Sequence, residues 1–273
     1  MHRYPFAIRL IGFSLEERPR IANALAKAPD DGPGYSCLLD ESLQDPDLSI
    51  VNGDELKALA QVMAQPPTAL EPVVVVGDAA LDFPYPRLER PLDWMRMFDM
   101  LEELLQRRAE SLAVLSARAL PVITERRRNP RLDFDITDPA EYAKLRKAAP
   151  RGAILIIDKG GALRDHLARL LGERKVTIEW TDSAAAAVRL CEETPVSLVL
   201  INTSTPGIDP YGLTAAIKAQ AGGERIAVVM LVGPSFQYLS ARAKASGVRG
   251  ILDKPVADRH LLATVKKLMS MPA

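Results

Sequence analysis

Val196-Ser-Leu-Val-Leu-Ile-Asn202-Thr-Ser-Thr-Pro206-Gly-Ile-Asp209 runs from an apolar segment, through an amide, into a loop of small polar residues, proline and glycine. Such a pattern reads as a buried strand followed by a turn. Three further stretches of the C-terminal part have a related form: Ala153-Ile-Leu-Ile-Ile-Asp158-Lys159, Ile226-Ala-Val-Val-Met-Leu-Val232-Gly233 and Gly247-Val-Arg-Gly-Ile-Leu-Asp-Lys254-Pro255. Asp158, Asn202, Val232 and Lys254 stand at the strand ends and are the candidate site residues of this half.

These residues together resemble the receiver domains of two-component response regulators, the CheY-like family. Ala153–Asp158 is similar to the first receiver strand, Val196–Asn202 to the third, Ile226–Val232 to the fourth, and Gly247–Lys254 to the fifth with its Lys-Pro corner. The intervals between Asp158, Asn202, Val232 and Lys254 are typical of an intact receiver. The resemblance implies that position 202 should be the phosphoryl-accepting aspartate, and here it is Asn202. Two adjacent acids should hold Mg²⁺, and here Asp158 is followed by Lys159. A Thr or Ser hydroxyl should close the fourth strand, and here Val232 offers none, while Lys254 is retained. Mg²⁺ takes hard oxygen ligands in octahedral geometry, so one carboxylate beside an ammonium is a poor site. An amide cannot form the acyl phosphate that a carboxylate nucleophile forms. The expectation is a pseudo-receiver with no catalytic residue, metal or cofactor, in which Asp158 and Lys254 serve as a salt bridge or polar pocket.

The 273 residues suit about two domains. Lys plus Arg and Asp plus Glu both number 35, so overall charge points to neither nucleic acid nor membrane. Cys37 and Cys191 are isolated, giving no zinc motif or disulfide framework, as suits a reducing cytoplasm. The N-terminal apolar run is too short for a membrane span and lacks a signal-peptide pattern.

Residues 1–92 read as a second, more eroded copy. Phe6–Phe13 is an expected strand and Ser14–Ala28 a helix, with Ser14 as N-cap and Pro19 early enough to be tolerated. Tyr35–Leu39 and Leu48–Asn52 are expected strands, and Asp54–Ala64 a helix ended by Gln65-Pro66-Pro67. Pro72-Val-Val-Val-Val-Gly77 has the composition of a parallel strand buried on both faces. Arg87–Pro91 resembles the short last strand. Asn52 takes the acceptor position, Gly12 and Phe13 replace the acids, and Arg90-Pro91 stands where the other copy has Lys254-Pro255. No full fourth helix fits between Asp78 and Pro86. The expected architecture is therefore α/β: two flavodoxin-like (βα)5 receiver-type domains with parallel sheets, at 1–92 and 151–273, joined by a helical connector at 93–150.

From Asp93 to Pro121 the chain holds neither glycine nor proline, and Trp94, Phe98, Leu101, Leu105, Leu112 and Leu115 recur at coiled-coil spacing, interrupted by Arg108. This is an expected dimer seam of an extended fifth helix, with intramolecular packing as the alternative. Arg126, Arg127, Arg128 and Arg131 follow, then a short helix from Asp138 to Ala149, with Asp138 and Pro139 opening it. Arginine forks suit phosphate. Arg127 and Arg131 share their spacing with the cyclic-di-GMP-binding PilZ family, whose second motif half is not evident here.

Common enzyme motifs for phosphate loops, nucleophile elbows and zinc helices are missing, and His2, His166 and His260 are scattered. The expectation is a phosphorylation-independent, cytoplasmic signalling module, with no output domain, that binds signalling proteins and forms a homodimer. By resemblance its partner face is the fourth helix, fifth strand and fifth helix, Ser240–Leu268, with Tyr238 and Lys254 near its pocket side. A second reading is a sensor of a phosphate-bearing messenger such as a cyclic dinucleotide, held by the arginine run or the residual pocket. A third is residual phosphorylation on Thr203 or Ser204.

Overall fold

The computed structural model describes residues 4–29, 32–64, 68–78, 84–118, 152–172 and 176–271. The arginines at 126, 127, 128 and 131 and the expected helix from Asp138 lie outside the described residues. The first part of the chain contains β1 (Phe6–Ile11), α1 (Glu17–Leu25), β2 (Tyr35–Cys37), β3 (Leu48–Asn52), α2 (Leu56–Met63), β4 (Val73–Val76), β5 (Arg87–Leu88) and α3 (Trp94–Arg118). The later part contains β6 (Ala153–Ile157), α4 (Ala162–Leu171), β7 (Ile178–Thr181), α5 (Ala184–Glu193), β8 (Val196–Asn202), α6 (Pro210–Lys218), β9 (Ala227–Val232), α7 (Ser240–Ser246), β10 (Gly250–Asp253) and α8 (Asp258–Leu268).

The strands form two five-stranded parallel sheets, ordered β2-β1-β3-β4-β5 and β10-β9-β8-β6-β7. Numbered within each sheet, both follow the 2-1-3-4-5 order of flavodoxin-like folds. The chain packs as two compact units. One comprises Met1–Ser116 with Leu231–Phe236 and Gly250–Thr264; the other comprises Ala117–Met230, Gln237–Arg249 and Val265–Ala273.

Alternation along the strands gives the first sheet two apolar faces. Ile8, Leu10, Leu48, Ile50, Val74 and Val76 share a core with Ile21 and Leu25 of α1 and Met97, Leu101, Leu104 and Leu105 of α3. Val51 and Val75 face the other way, against Ala58 and Leu59 of α2. Residues 38–47, between β2 and β3, contain no helix.

Local sequence sets the helix starts. Ser14 N–H donates to Glu17 Oε2 at 3.1 Å, and Glu17 N–H donates to Ser14 Oγ at 3.2 Å. This is a reciprocal capping box. The expected N-cap is thus engaged, although the regular helix begins at Glu17 and ends at Leu25 rather than Ala28. Strand β2 also ends earlier than expected, at Cys37. In the second sheet every residue of β6 is buried. There Leu155, Ile157, Val199 and Ile201 pack with Ala187, Leu213 and Ile217 of the covering helices α5 and α6. Asp209 caps α6 by accepting from Tyr211 N–H at 3.1 Å, with Pro210 in the first turn where a missing N–H costs least.

Candidate functional site

The parallel arrangement places polar residues at strand ends. Asp158 directly follows β6, and its backbone N–H donates to Thr181 O at 3.2 Å. Asn202 ends β8. Its Nδ2 donates to Asp158 Oδ1 at 2.7 Å, while its Oδ1 accepts from Ser204 N–H at 3.1 Å. Both bonds require this orientation of the amide, because the opposite one sets oxygen against carboxylate and N–H₂ against N–H. Asp158 Oδ1 also accepts from Lys159 N–H at 2.8 Å. Two carboxylates this close would repel each other without a cation between them. With an amide, one partner supplies a proton donor, and the pair is held without metal.

Mg²⁺, which the resemblance to receiver domains implies, does not fit these residues. Asn202 aims a nitrogen at the only carboxylate of the pair, and the next residue is Lys159. Among the described residues no group of three or more His, Cys, Asp or Glu side chains is disposed to hold a metal ion. Val232, at the end of β9, is buried, and its carbonyl accepts from Lys254 N–H at 2.8 Å. The structure thus joins Asp158 with Asn202, and Val232 with Lys254.

The first sheet carries a comparable set. Asn52 ends β3, donates from Nδ2 to Gly12 O at 2.9 Å, and accepts at Oδ1 from Asp54 N–H at 3.2 Å. The last bond matches the one between Asn202 and Ser204. Arg90 Nη2 donates to Asn52 Oδ1 at 3.2 Å, Arg90 Nη1 to Glu17 Oε1 at 2.8 Å, and Arg90 Nε lies 3.1 Å from Asp54 Oδ2. The guanidinium also stands over the Phe13 ring, 5.9 Å from its centroid. The Ser14 backbone N–H, more than the Arg90 guanidinium, holds the Glu17 carboxyl below its ordinary pKa despite some opposing burial. Two glycines let the chain close in: a Cβ on Gly12, at φ +78°, would sit 2.4 Å from Ala58 Cβ, and one on Gly77, at φ +115°, would sit 2.5 Å from Asp54 Oδ1. Arg90 therefore occupies this strand edge as an internal counter-ion. Its partners Glu17 and Asp54 were missed in the sequence because neither stands at a position that the receiver resemblance singles out.

The expected dimer seam divides in two. Leu101 is fully buried and Leu105 nearly so, with Trp94 and Phe98 packed on the same core. Leu112 and Leu115 are exposed, at 40% and 51%. Arg108, read as a polar position in the seam, donates from Nε to Leu70 O at 2.9 Å, and its Nη1 lies 3.2 Å from Asp47 Oδ1.

Asp47 is the largest omission of the sequence reading. It is fully buried, accepts from Ala7 N–H at 3.0 Å, and takes Arg259 Nη2 on both carboxylate oxygens at 2.7 Å. An acid in a loop looks solvated in a sequence, and nothing local marks Arg259 as its partner. The thiols are quiet: burial pushes Cys37 up to about 12 and Cys191 up to about 11.

Residues 154–266 match the family model described as the response regulator receiver domain. Similar solved structures include a response regulator from Chloroflexus aurantiacus, at 18% identity, covering 44% of this chain and 98% of that one with a TM-score of 0.39. The receiver domain of a sensor histidine kinase from Pseudomonas aeruginosa, with magnesium coordinated in its active-site cleft, is similar at 20% identity, with coverages of 44% and 98% and a TM-score of 0.39. A receiver domain of a histidine kinase from Syntrophus aciditrophicus is similar at 28% identity, with coverages of 44% and 90% and a TM-score of 0.39. No curated protein matches the chain.

Proposed function

We propose that the chain is a tandem pseudo-receiver that regulates by protein–protein interaction in signal transduction, independently of aspartyl phosphorylation; the match of residues 154–266 to the receiver-domain family model supports the signalling part of this reading. The hydrogen bond from Asn202 Nδ2 to Asp158 Oδ1 at 2.7 Å carries this reading. It replaces both the nucleophile and the charge pair that a cation would bridge. The first sheet supports it independently, since Arg90 neutralises the corresponding edge from within.

The proposed partner face is formed by α7, β10 and α8, Ser240–Leu268. Self-association is proposed through the exposed distal part of α3 at Leu112 and Leu115, because the proximal apolar residues are already used in the core. No helix among the described residues is long and apolar enough to cross a membrane. The cytoplasm is the proposed compartment, where isolated thiols persist.

Incubation with acetyl phosphate and Mg²⁺, followed by intact-mass measurement, tests the central claim. The expected result is no phosphoryl adduct on the purified protein. An adduct mapped to residues 202–204 would overturn the reading.

A further inference from the structure

β10 is the terminal strand of its sheet, and within the first compact unit its edge is not bare. An isolated parallel bridge pairs Ser42 with Ile251. Leu43 N–H donates to Ile251 O at 2.8 Å, and Ile251 N–H donates to Glu41 O at 3.4 Å. This is strand addition by a short extended segment. Gly250 makes the approach possible, since a Cβ there would stand 2.6 Å from Leu43 Cγ.

Side chains fix the register on both sides of that bridge. Gln44 Oε1 accepts from Asp253 N–H at 3.0 Å, and Leu39 N–H donates to Asp253 Oδ2 at 3.4 Å. Further on, the Asp47 carboxylate takes Arg259 on both oxygens. Gln44 and Asp47 are buried at 3% and 0% exposure, whereas the Arg259 side chain is 56% exposed. The segment therefore presents an apolar residue, an amide and an acid to a strand edge, a glycine notch and an arginine.

We propose that β10 and the first turn of α8 form a recognition edge for an extended segment, and that Leu39–Asp47 of the same chain is its resident occupant, a latch that closes this part of the proposed partner face. The partner it fits is a protein segment that pairs as a strand and carries an apolar residue followed by an acid. Such a segment competes with an occupant already tethered at high effective concentration, so binding requires the latch to open. This inference rests on the reading of Ser240–Leu268 as the partner face.

The test uses a fluorescent peptide of residues 39–48 added to the full-length protein. The doubly substituted Leu43→Asp, Gln44→Ala protein, whose recognition edge is intact but whose latch is broken, is expected to bind the peptide at least about tenfold more tightly than the native protein. Adding Arg259→Glu is expected to abolish that gain. Equal peptide binding by all three proteins overturns the proposal. Hydrogen exchange on the Arg259→Glu protein provides an independent reading that does not depend on the latch variants folding. Faster exchange at the Leu43 and Ile251 amides supports the latch, and unchanged exchange overturns it. Neither measurement involves phosphoryl transfer or a signalling partner, so failure here leaves the pseudo-receiver reading standing, and a phosphoryl adduct at residues 202–204 leaves the latch standing.

Discussion

Asn202 changes the chemistry of its neighbourhood with a single atom. Its amide nitrogen satisfies Asp158 directly, so restoring the acid in Asn202→Asp alone places two carboxylates together beside Lys159. Losing the hydrogen bond and adding the repulsion is expected to cost about 1–3 kcal/mol, measured by urea denaturation. With Lys159→Asp added, Mg²⁺ is expected to restore part of that loss, whereas the native protein is expected to show no shift with Mg²⁺. Asp47 gives the opposite kind of prediction. Asp47→Ala removes a fully buried acid from Ala7 N–H, Arg108 and Arg259, and is expected to cost about 3–5 kcal/mol in the same assay. Arg90→Ala breaks as many contacts, but at a partly exposed site, so about 1 kcal/mol or less per ion pair is expected.

Helix α3 is buried at Leu101 and Leu105 and exposed at Leu112 and Leu115, and its substitutions should separate accordingly. Leu101→Ala opens a cavity in a closed core and is expected to cost about 2–5 kcal/mol. Leu112→Glu with Leu115→Glu touches only exposed positions and is expected to leave the unfolding midpoint nearly unchanged while converting a dimer into a monomer in sedimentation. A monomeric native protein would remove the proposed seam. The 4,3 spacing made the helix readable from Asp93 onward, yet periodicity reports only that a stripe is covered. It does not report whether the cover is a second copy or the chain's own sheet. The short valine-rich strands were equally readable, because a parallel strand buried on both faces has almost no alternative composition. Residues 38–47 were unreadable for the converse reason: their hydrogen bonds run to residues 35 or 40 positions away, such as Arg9 and Ala7, or more than two hundred, such as Asp253, beyond any local pattern.

The protein as a whole should lose stability on mild acidification through His260. Burial, reinforced by Arg259, lowers its pKa despite the opposing carboxylates of Asp47 and Asp45, and Arg108 lowers it further; Gln44 also contacts the ring. A lowered value means that the unfolded chain binds the proton more readily. The neutral-histidine contribution is therefore complete above the unfolded value of 6.5 and declines as pH falls through the folded one. Asp253 runs the other way: burial raises its pKa, so its contribution is largest below 3.8 and fades as pH rises through the folded value. Urea midpoints at about pH 7.5 and about pH 5.5 should fall with acid, and His260→Gln should flatten that slope. An equal slope in the variant would assign the loss elsewhere.

The glycine notch at Gly250 has a consequence for copies meeting in solution. A strand edge that accepts a segment of its own chain accepts the identical segment of a neighbour with the same bonds. Two chains open at once can therefore exchange Leu39–Asp47 reciprocally, each completing the other's sheet with no new chemistry. Because the exchanged pair has no net gain in contacts over two closed chains, concentration alone sets how much of it forms. The tether that keeps the segment at home is then also what keeps the protein from growing by exchange.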